Sequence, residues 1–264
     1  MAMRIAIGVS YDGRGFEGWQ SQPSGNTVQD HLEAALGKIA AVPVRIAGAG
    51  RTDTGVHALG QVAHFDCEIE RPASAWVRGT NALLAEGIAV QWAMPVSTEF
   101  NARFSAQSRR YVYVMYVHPV RPSLLAGKVG WYHARLDVVA MREAAACLLG
   151  RHDFSAFRSS QCQAKTPVRN ISDLRIREHG PYVTFELVAD AFLHHMVRNI
   201  VGCLLYVGKG AYSPARMEQI LAGGNRREAA PTIAPDGLYL AEVTYEDRWM
   251  LPPFPRMMPQ LDSD

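Results

Sequence analysis

VRIAGAGRTDTGVHALGQVAHFD, residues 44–66, holds the pattern on which the fold turns. Val44–Gly50 reads as a short strand entering a glycine-rich loop, and Gln61–Asp66 as the strand leaving it. A loop between two strands is a place where a sheet edge can present a side chain rigidly, and the single acid in this loop is Asp53. The familiar glycine-loop readings fit poorly. Gly50 and Gly55 have the gap of a phosphate loop, but Val56-His57 follow where Lys-Ser/Thr would have to hold phosphate and magnesium. Gly48-Ala49-Gly50 is followed by Asp53 where a dinucleotide fingerprint places its third glycine. Asp53-Thr54-Gly55 matches the short triplet of aspartic proteases, whose chemistry needs two carboxylates sharing a proton. The chain has no second DTG or DSG, so a homodimer would have to supply it, and Arg51-Thr52 stand where that family places apolar residues.

Outward from the loop, RIAIGVSYDG (4–13) alternates Ile5, Ile7, Val9 and Tyr11 and predicts a half-buried strand. Thr27 and Asp30 form a helix start signal ahead of the apolar stripe Val28, Leu32, Leu36 and Ile39, which Pro43 ends. A short helix is expected over 74–84 and a strand over 88–94. FNARFSAQSRRYVYVMYVHP (100–119) reads as a basic turn feeding a strand with Tyr111, Tyr113 and Met115 on one face. Asp137 caps a helix running to Gly150. ISDLRIREHGPYVTFELVAD (171–190) reads as a hairpin turning at His179-Gly180-Pro181. Residues 193–207 form an apolar helix, Ser213-Pro214 opens another, and 237–245 is a final strand. The proline- and methionine-rich tail after 250 is expected to dock loosely. Strands and helices mix without a regular βαβ repeat, so the fold class is α+β with a largely antiparallel mixed sheet flanked by helices. The FNARF segment marks a seam between two lobes, 1–105 and 106–264.

The chain has 264 residues, 48% of them hydrophobic and 20% charged, and a formal charge of +2. A near-neutral chain must hold any polyanion through local patches rather than a global field. Of the 27 basic residues only Lys38, Lys128, Lys165 and Lys209 are lysines; the rest are arginines, whose planar forks suit phosphates and base stacking. Cys67, Cys147, Cys162 and Cys203 form no CxxC pair and no secreted framework. The start lacks a signal-peptide pattern and no apolar run has membrane-spanning length, so a cytoplasmic protein is expected.

Asp53 is either a turn residue bonding its own backbone or an oriented carboxylate, since Arg51, Thr52 and Thr54 surround it with donors. An ionised carboxylate suits nucleophilic addition. His57, His64, His194 and His195 do not form an i,i+4 pair with a glutamate between, and no cysteine joins them; no metal site is expected. His194 and His195 are expected to point in different directions on a helix. Arg198, inside the apolar run HHMVRNIVGCLLYVG, must find a partner. It can cap a carbonyl, reach solvent along its stem, or pair with Asp53. Arg103, the SRR of 108–110, Lys165 with Arg169, and Arg226-Arg227 interleave with aromatic residues, which is also how RNA is held, by stacking and phosphate contact.

Taken together, YDGRGFEGWQSQP (11–23), AGRTDTGVHALGQVAHF (49–65), FNARFSAQSRRYVYVMY (100–116), FLHHMVRNIVG (192–202) and GLYL (237–240) resemble the tRNA pseudouridine synthase A (TruA) family, in order from about residue 3 to residue 250. The resemblance implies a cofactor-free isomerase that converts uridines 38, 39 and 40 of the tRNA anticodon stem-loop to pseudouridine. It also implies a homodimer of two-lobed chains with a positively charged active-site cleft between the lobes. Carried over by motif, Asp53 is the nucleophile, Tyr111 lies against the target uracil, Arg51 helps hold the flipped nucleotide and Arg198 pairs with the aspartate. RNA contacts fall on Phe100, Asn101, Ala102, Arg103 and Phe104, on Gln161, Cys162, Gln163, Ala164 and Lys165, and on Arg71, Arg109, Arg110 and Tyr132. The chain departs from the pattern at Pro119, where some relatives carry a basic residue; Arg121 is nearby. The alternatives are a non-catalytic RNA-binding protein and, further off, an aspartic protease.

Overall fold

The computed structural model describes residues 3–255. The chain forms two compact units. The first comprises the residues through Gln107 together with those from Tyr239 onward, and the second is Ser108–Leu238. The first boundary lies two residues beyond the expected 105. The closing strand belongs to the N-terminal unit rather than to the C-terminal lobe where the sequence reading placed it.

In the first unit, β1 (Met3–Tyr11) runs antiparallel between β3 (His57–Cys67) and β4 (Ile88–Val96). The two-residue β2 (Ala47–Gly48) pairs with β3, and β10 (Leu238–Tyr245) lies parallel to β3, Tyr239 opposite His57 and Leu240 opposite Ala58. β1 is buried along both faces from Ile5 to Tyr11, not on one. Its second face carries small residues: a Cβ added at Gly8 would lie 2.2 Å from the Trp92 ring and 2.8 Å from Phe254. The tail therefore packs on the sheet through Phe254, whose ring centroid is 5.6 Å from that of Trp92. The part of the tail from residue 256 on lies outside the described residues.

The helix α1 (Val28–Ala40) begins at the capping box expected from Thr27 and Asp30. Each side chain of the box satisfies an otherwise orphaned backbone amide at the helix start. The expected helix over 74–84 is shorter, a turn of wide π-type helix at Ala75–Gly79 with two-residue α-helical flanks.

In the second unit, β5 (Ala106–Val117), β9 (Tyr182–Ala189), β8 (Val168–His179) and β7 (Gly150–Asp153) are antiparallel neighbours in that order, and β6 (Gly130–Tyr132) runs parallel to β5. The hairpin turns at Gly180-Pro181, with His179 opposite Tyr182 and Gly180 at φ +56°. Three helices accompany these strands: α2 (Val138–Ala145), capped by Asp137 as expected, α3 (Met196–Gly208) and α4 (Pro214–Gly223). α2 packs on α3, α4 and β8. A Cβ at Gly208 would come within 2.5 Å of Met141 Sδ, which is why the end of α3 can lie so close to α2. α3 starts three residues later than its apolar run, because His195 takes a left-handed conformation at φ +63° that cannot continue an α-helix. No helix among the described residues is long and apolar enough to cross a membrane.

Candidate active site

The loop between β2 and β3 is held at Ala49, Gly50, Thr52, Asp53 and Val56. Ala49 N–H donates to the Val62 carbonyl. The fully buried side chain of Gln61 forms a fork with Gly50, accepting from its N–H at 3.2 Å and donating to its carbonyl at 2.6 Å. Thr52 is buried, its hydroxyl 2.7 Å from that of Tyr11 and its carbonyl accepting from Trp19 N–H at 3.0 Å. Asp53 offers its carbonyl to Val56 N–H at 3.1 Å. The next anchor is His57, whose Nδ1 accepts from Gly13 N–H and whose ring stacks on Tyr239 at 4.7 Å.

Three glycines make these approaches possible. A Cβ at Gly13 would meet the Val56 carbonyl at 2.1 Å, and one at Gly48 would meet the Trp19 ring at 2.6 Å. Gly18 sits at φ +85°, where a Cβ would lie 2.6 Å from the Thr52 carbonyl oxygen. The YDGRGFEGW segment is thus the clamp of the GRTD loop. Its aspartate is half-buried, Arg51 and Thr54 are exposed, and Thr52 faces inward. Burial drives the Tyr11 hydroxyl far above the ordinary phenol range, against the opposing hydrogen bonds from Thr52 and Gln61.

Elsewhere in the first unit, Arg71 is exposed, with Nε 3.4 Å from the Ile39 carbonyl. In the Phe100–Phe104 segment, Phe100 and Ala102 are fully buried. Phe100 packs against His64, Tyr245 and Trp249, while the Ala102 amide donates to His64 Nδ1 and its carbonyl accepts from the Tyr245 hydroxyl. Asn101 uses its side-chain oxygen to accept from the amides of Arg103 and Phe104. Only Arg103 and Phe104 project outward. Phe104 is 80% exposed, with the Arg103 guanidinium 5.5 Å above its ring.

In the second unit, Tyr111 stands on β5 opposite Leu187, 7% exposed, with Phe192 edge-on at 5.0 Å. Arg198 occupies the first turn of α3, half-buried, and donates through Nε to the Ile233 carbonyl at 2.9 Å. This is the carbonyl-capping role weighed for it, and that contact leaves the terminal nitrogens of the guanidinium for further partners. Beside it Asn199, fully buried, donates to the Phe157 carbonyl and accepts from Thr232 and from Arg226 Nη2. Arg226 also donates to the carbonyls of Ala229 and Ala230, so it clamps the segment leading to β10 rather than joining an outward basic pair with Arg227.

Arg109 is buried and donates to the Asp190 carbonyl, and Arg110 has Nη1 3.9 Å from Glu186. Tyr132 ends β6 half-buried. Gln161, Gln163 and Lys165 are exposed on the loop before β8, with Cys162 and Ala164 half-buried. Cys162 is held through its carbonyl by Arg158 Nη2. Arg169 turns back onto the Thr166 and Val168 carbonyls. His194 and His195 precede α3 rather than lying on it, and their rings are 4.0 Å apart instead of diverging.

The sequence reading did not single out Gln61, or Tyr11 and Thr52 as a bonded pair, though the YDG motif and the glutamine that opens the expected strand 61–66 were in view. Their partnership depends on strand register.

Comparison with known proteins gives this geometry a lineage. The family model described as tRNA pseudouridine synthase matches residues 7–105 and 144–246. A tRNA pseudouridine synthase A from Chromobacterium violaceum is 63% identical over 95% of this chain and 96% of its own length. One from Paraburkholderia phymatum is 58% identical over 94% of this chain and 93% of its own. Among solved structures, an archaeal box H/ACA sRNP Nop10–Cbf5 complex covers 76% of this chain and 43% of its own at 14% identity and a TM-score of 0.36, too low to bear on function. With the Asp53 loop inside the first matched segment and Arg198 inside the second, the chain belongs to the tRNA pseudouridine synthase family, whose members are isomerases acting on tRNA.

Proposed function

We propose that this enzyme converts uridines 38, 39 and 40 of the tRNA anticodon stem-loop to pseudouridine, with Asp53 as nucleophile. The supporting observation is the immobilised GRTD loop: Thr52 is bonded through both hydroxyl and carbonyl, and Asp53 through its carbonyl to Val56. A turn residue serving only its own backbone would not need a buried scaffold of this extent. Positioning a reacting oxygen does need one, because small misplacements cost large factors in rate.

Substrate and product are isomers. The N1–C1′ bond breaks, the uracil turns, C5 bonds to C1′, and the proton lost from C5 is balanced by one gained at N1. No electron or group donor enters that balance, in keeping with a cofactor-free reaction. The Asp53 carboxylate acts as nucleophile at uracil C6 or at the ribose C1′. Either route requires the target nucleotide to leave the helix stack, at a cost of a few kcal/mol.

In this proposal Tyr111 lies against the extruded uracil, Arg51 holds its nucleotide and Arg198 pairs with Asp53. Arg71, Tyr132, the Phe100–Phe104 segment, Arg109, Arg110 and the 161–165 loop form the RNA surface. Arg103, Phe104 and Lys165, being exposed, offer direct contacts, whereas buried Phe100, Ala102 and Arg109 shape the surface from beneath. The site of action is the cytoplasm. The enzyme works as a homodimer, a reading supported by apolar surface on the second unit, where Leu124 is 96% and Val120 66% exposed.

Asp53→Asn preserves size and removes charge. It abolishes the mass-neutral, carbodiimide-detectable modification of an anticodon stem-loop while tRNA affinity stays within a few fold, since phosphate contacts dominate binding. Normal turnover by that variant would falsify the assignment.

A further inference from the structure

We infer that Tyr11 is a positioning residue for the isomerisation: its hydroxyl, bonded to that of Thr52, sets the direction in which Asp53 presents its carboxylate. The inference rests on Asp53 being the nucleophile.

The Cα–Cβ direction of a residue is fixed by the two peptide groups that flank it. At Asp53 the preceding peptide is held by its carbonyl, the Thr52 oxygen that accepts from Trp19 N–H, and the following one by the Asp53 carbonyl bonded to Val56 N–H. A carbonyl bond alone leaves the peptide free to rock about the N–H···O axis. Thr52 carries a second restraint from its side chain, whose hydroxyl lies 2.7 Å from that of Tyr11. Gln61, on the neighbouring strand, forks onto Gly50. The Tyr11 phenol at Thr52 and the Gln61 amide at Gly50 therefore hold the loop at two points on the same side of Asp53.

The sheet itself aims this phenol. β1 and β3 pair Val9 with Gln61 but Tyr11 with Ala58, so β3 contains one extra residue beside Tyr11. β4 has another at the same level, Gly8 facing Trp92 and Val9 facing Val90. Bulges re-aim side chains and strengthen local twist. Here they put Tyr11 beneath the loop, its ring centroid 5.9 Å from that of Trp19. A phenylalanine would fill the same volume but leave the buried Thr52 hydroxyl without this partner. The buried oxygen is bonded to the Thr52 hydroxyl. Among the described residues its partner is Thr52 rather than Asp53, so its role is to hold and not to react.

Tyr11→Phe removes only this oxygen, and Thr52→Val removes its partner at nearly constant shape. Single-turnover rates with saturating enzyme on an anticodon stem-loop, normalised to folded protein, are expected to fall about ten- to a hundredfold for each variant. Stem-loop Kd should stay within twofold of the parent. The double variant should be no slower than the slower single, because both remove one interaction. Thr52→Ser, which retains the hydroxyl, should recover the rate to within about threefold of the parent. A hydroxyl with a purely structural role would lower Tm and the folded fraction but leave the rate per folded molecule unchanged. A Tyr11→Phe rate within twofold of the parent, a double variant whose losses multiply, or a Thr52→Ser as slow as Thr52→Val would each overturn the inference. If Tyr11→Phe does not fold, the Thr52→Val and Thr52→Ser pair decides alone. Asp53→Asn, assayed alongside, separates the two levels: an active Asp53→Asn removes the nucleophile itself, whereas an inactive Asp53→Asn beside a normal Tyr11→Phe removes only the positioning role.

Discussion

Two loops carry most of the proposed chemistry, and they are built oppositely. Residues 49–57 are tied at Ala49, Gly50, Thr52, Asp53, Val56 and His57, with Thr52, Val56 and His57 inside. Residues 159–166 are tied mainly at their ends and through backbone groups, Ser159 N–H to the His194 carbonyl, Arg158 to the Cys162 carbonyl and Arg169 to the Thr166 carbonyl, and they expose Gln161, Gln163 and Lys165. The first arrangement suits a group that must meet one atom from one direction. The second suits contact with a flexible polyanion, where charge counts for more than angle.

The sharpest way to break this contrast is at Gly18. Gly18→Ala puts a Cβ 2.6 Å from the Thr52 carbonyl oxygen at a backbone angle that L-residues avoid. We expect a stability loss of about 2–3 kcal/mol and a fall in single-turnover rate of about a hundredfold. Gly15→Ala, where an added methyl meets nothing within 4 Å, should leave both near the parent values in thermal melts and stem-loop assays.

The other loop should respond with affinity alone. Lys165→Ala is expected to raise the tRNA Kd about threefold and to reduce the slope of log Kd against log salt by about one, with the saturated single-turnover rate unchanged. A slower saturated rate would mean that this loop, too, is a precision element.

The smallest effect concerns the Phe100–Phe104 segment, which hangs on His64. Its Nδ1 accepts from the Ala102 amide, and burial first, with the Arg4 charge second, lowers its pKa below the ordinary 6.5. A histidine with a lowered folded pKa stabilises the native state fully above 6.5, and that contribution is lost as pH falls through the folded value. Tm should therefore drop by about 2 °C more between pH 7.5 and 5.5 for the parent than for His64→Gln, which has no proton to take up.

Much of the fold was legible from local signals. The Thr27–Asp30 box, the Asp137 cap and the Gly180-Pro181 turn depend on neighbours within a few residues, and the sequence carries them intact. What it could not show were consequences of distant partners. β1 reads as half-buried because its alternation is clean, yet Trp92 and Phe254 cover the small-residue face. The two-lobe division misplaced the last strand because parallel pairing of β10 with β3 joins residues about 180 positions apart. At the site, GRTDTG marked Asp53 by composition. Tyr11 was legible only as a core aromatic, since its aim comes from bulges in two strand pairings. Arg109 and Arg226 looked like surface charge because sequence does not reveal which carbonyls await a donor; the structure shows them at Asp190, Ala229 and Ala230.

The parallel strand that lies beside His57 has a consequence for biosynthesis. Tyr239, the platform under that ring, leaves the ribosome more than 180 residues after the loop it supports. A nascent chain thus carries the whole GRTD loop for most of its translation without the surface on which the loop rests, and the enzyme matures only as its carboxyl-terminal strand emerges.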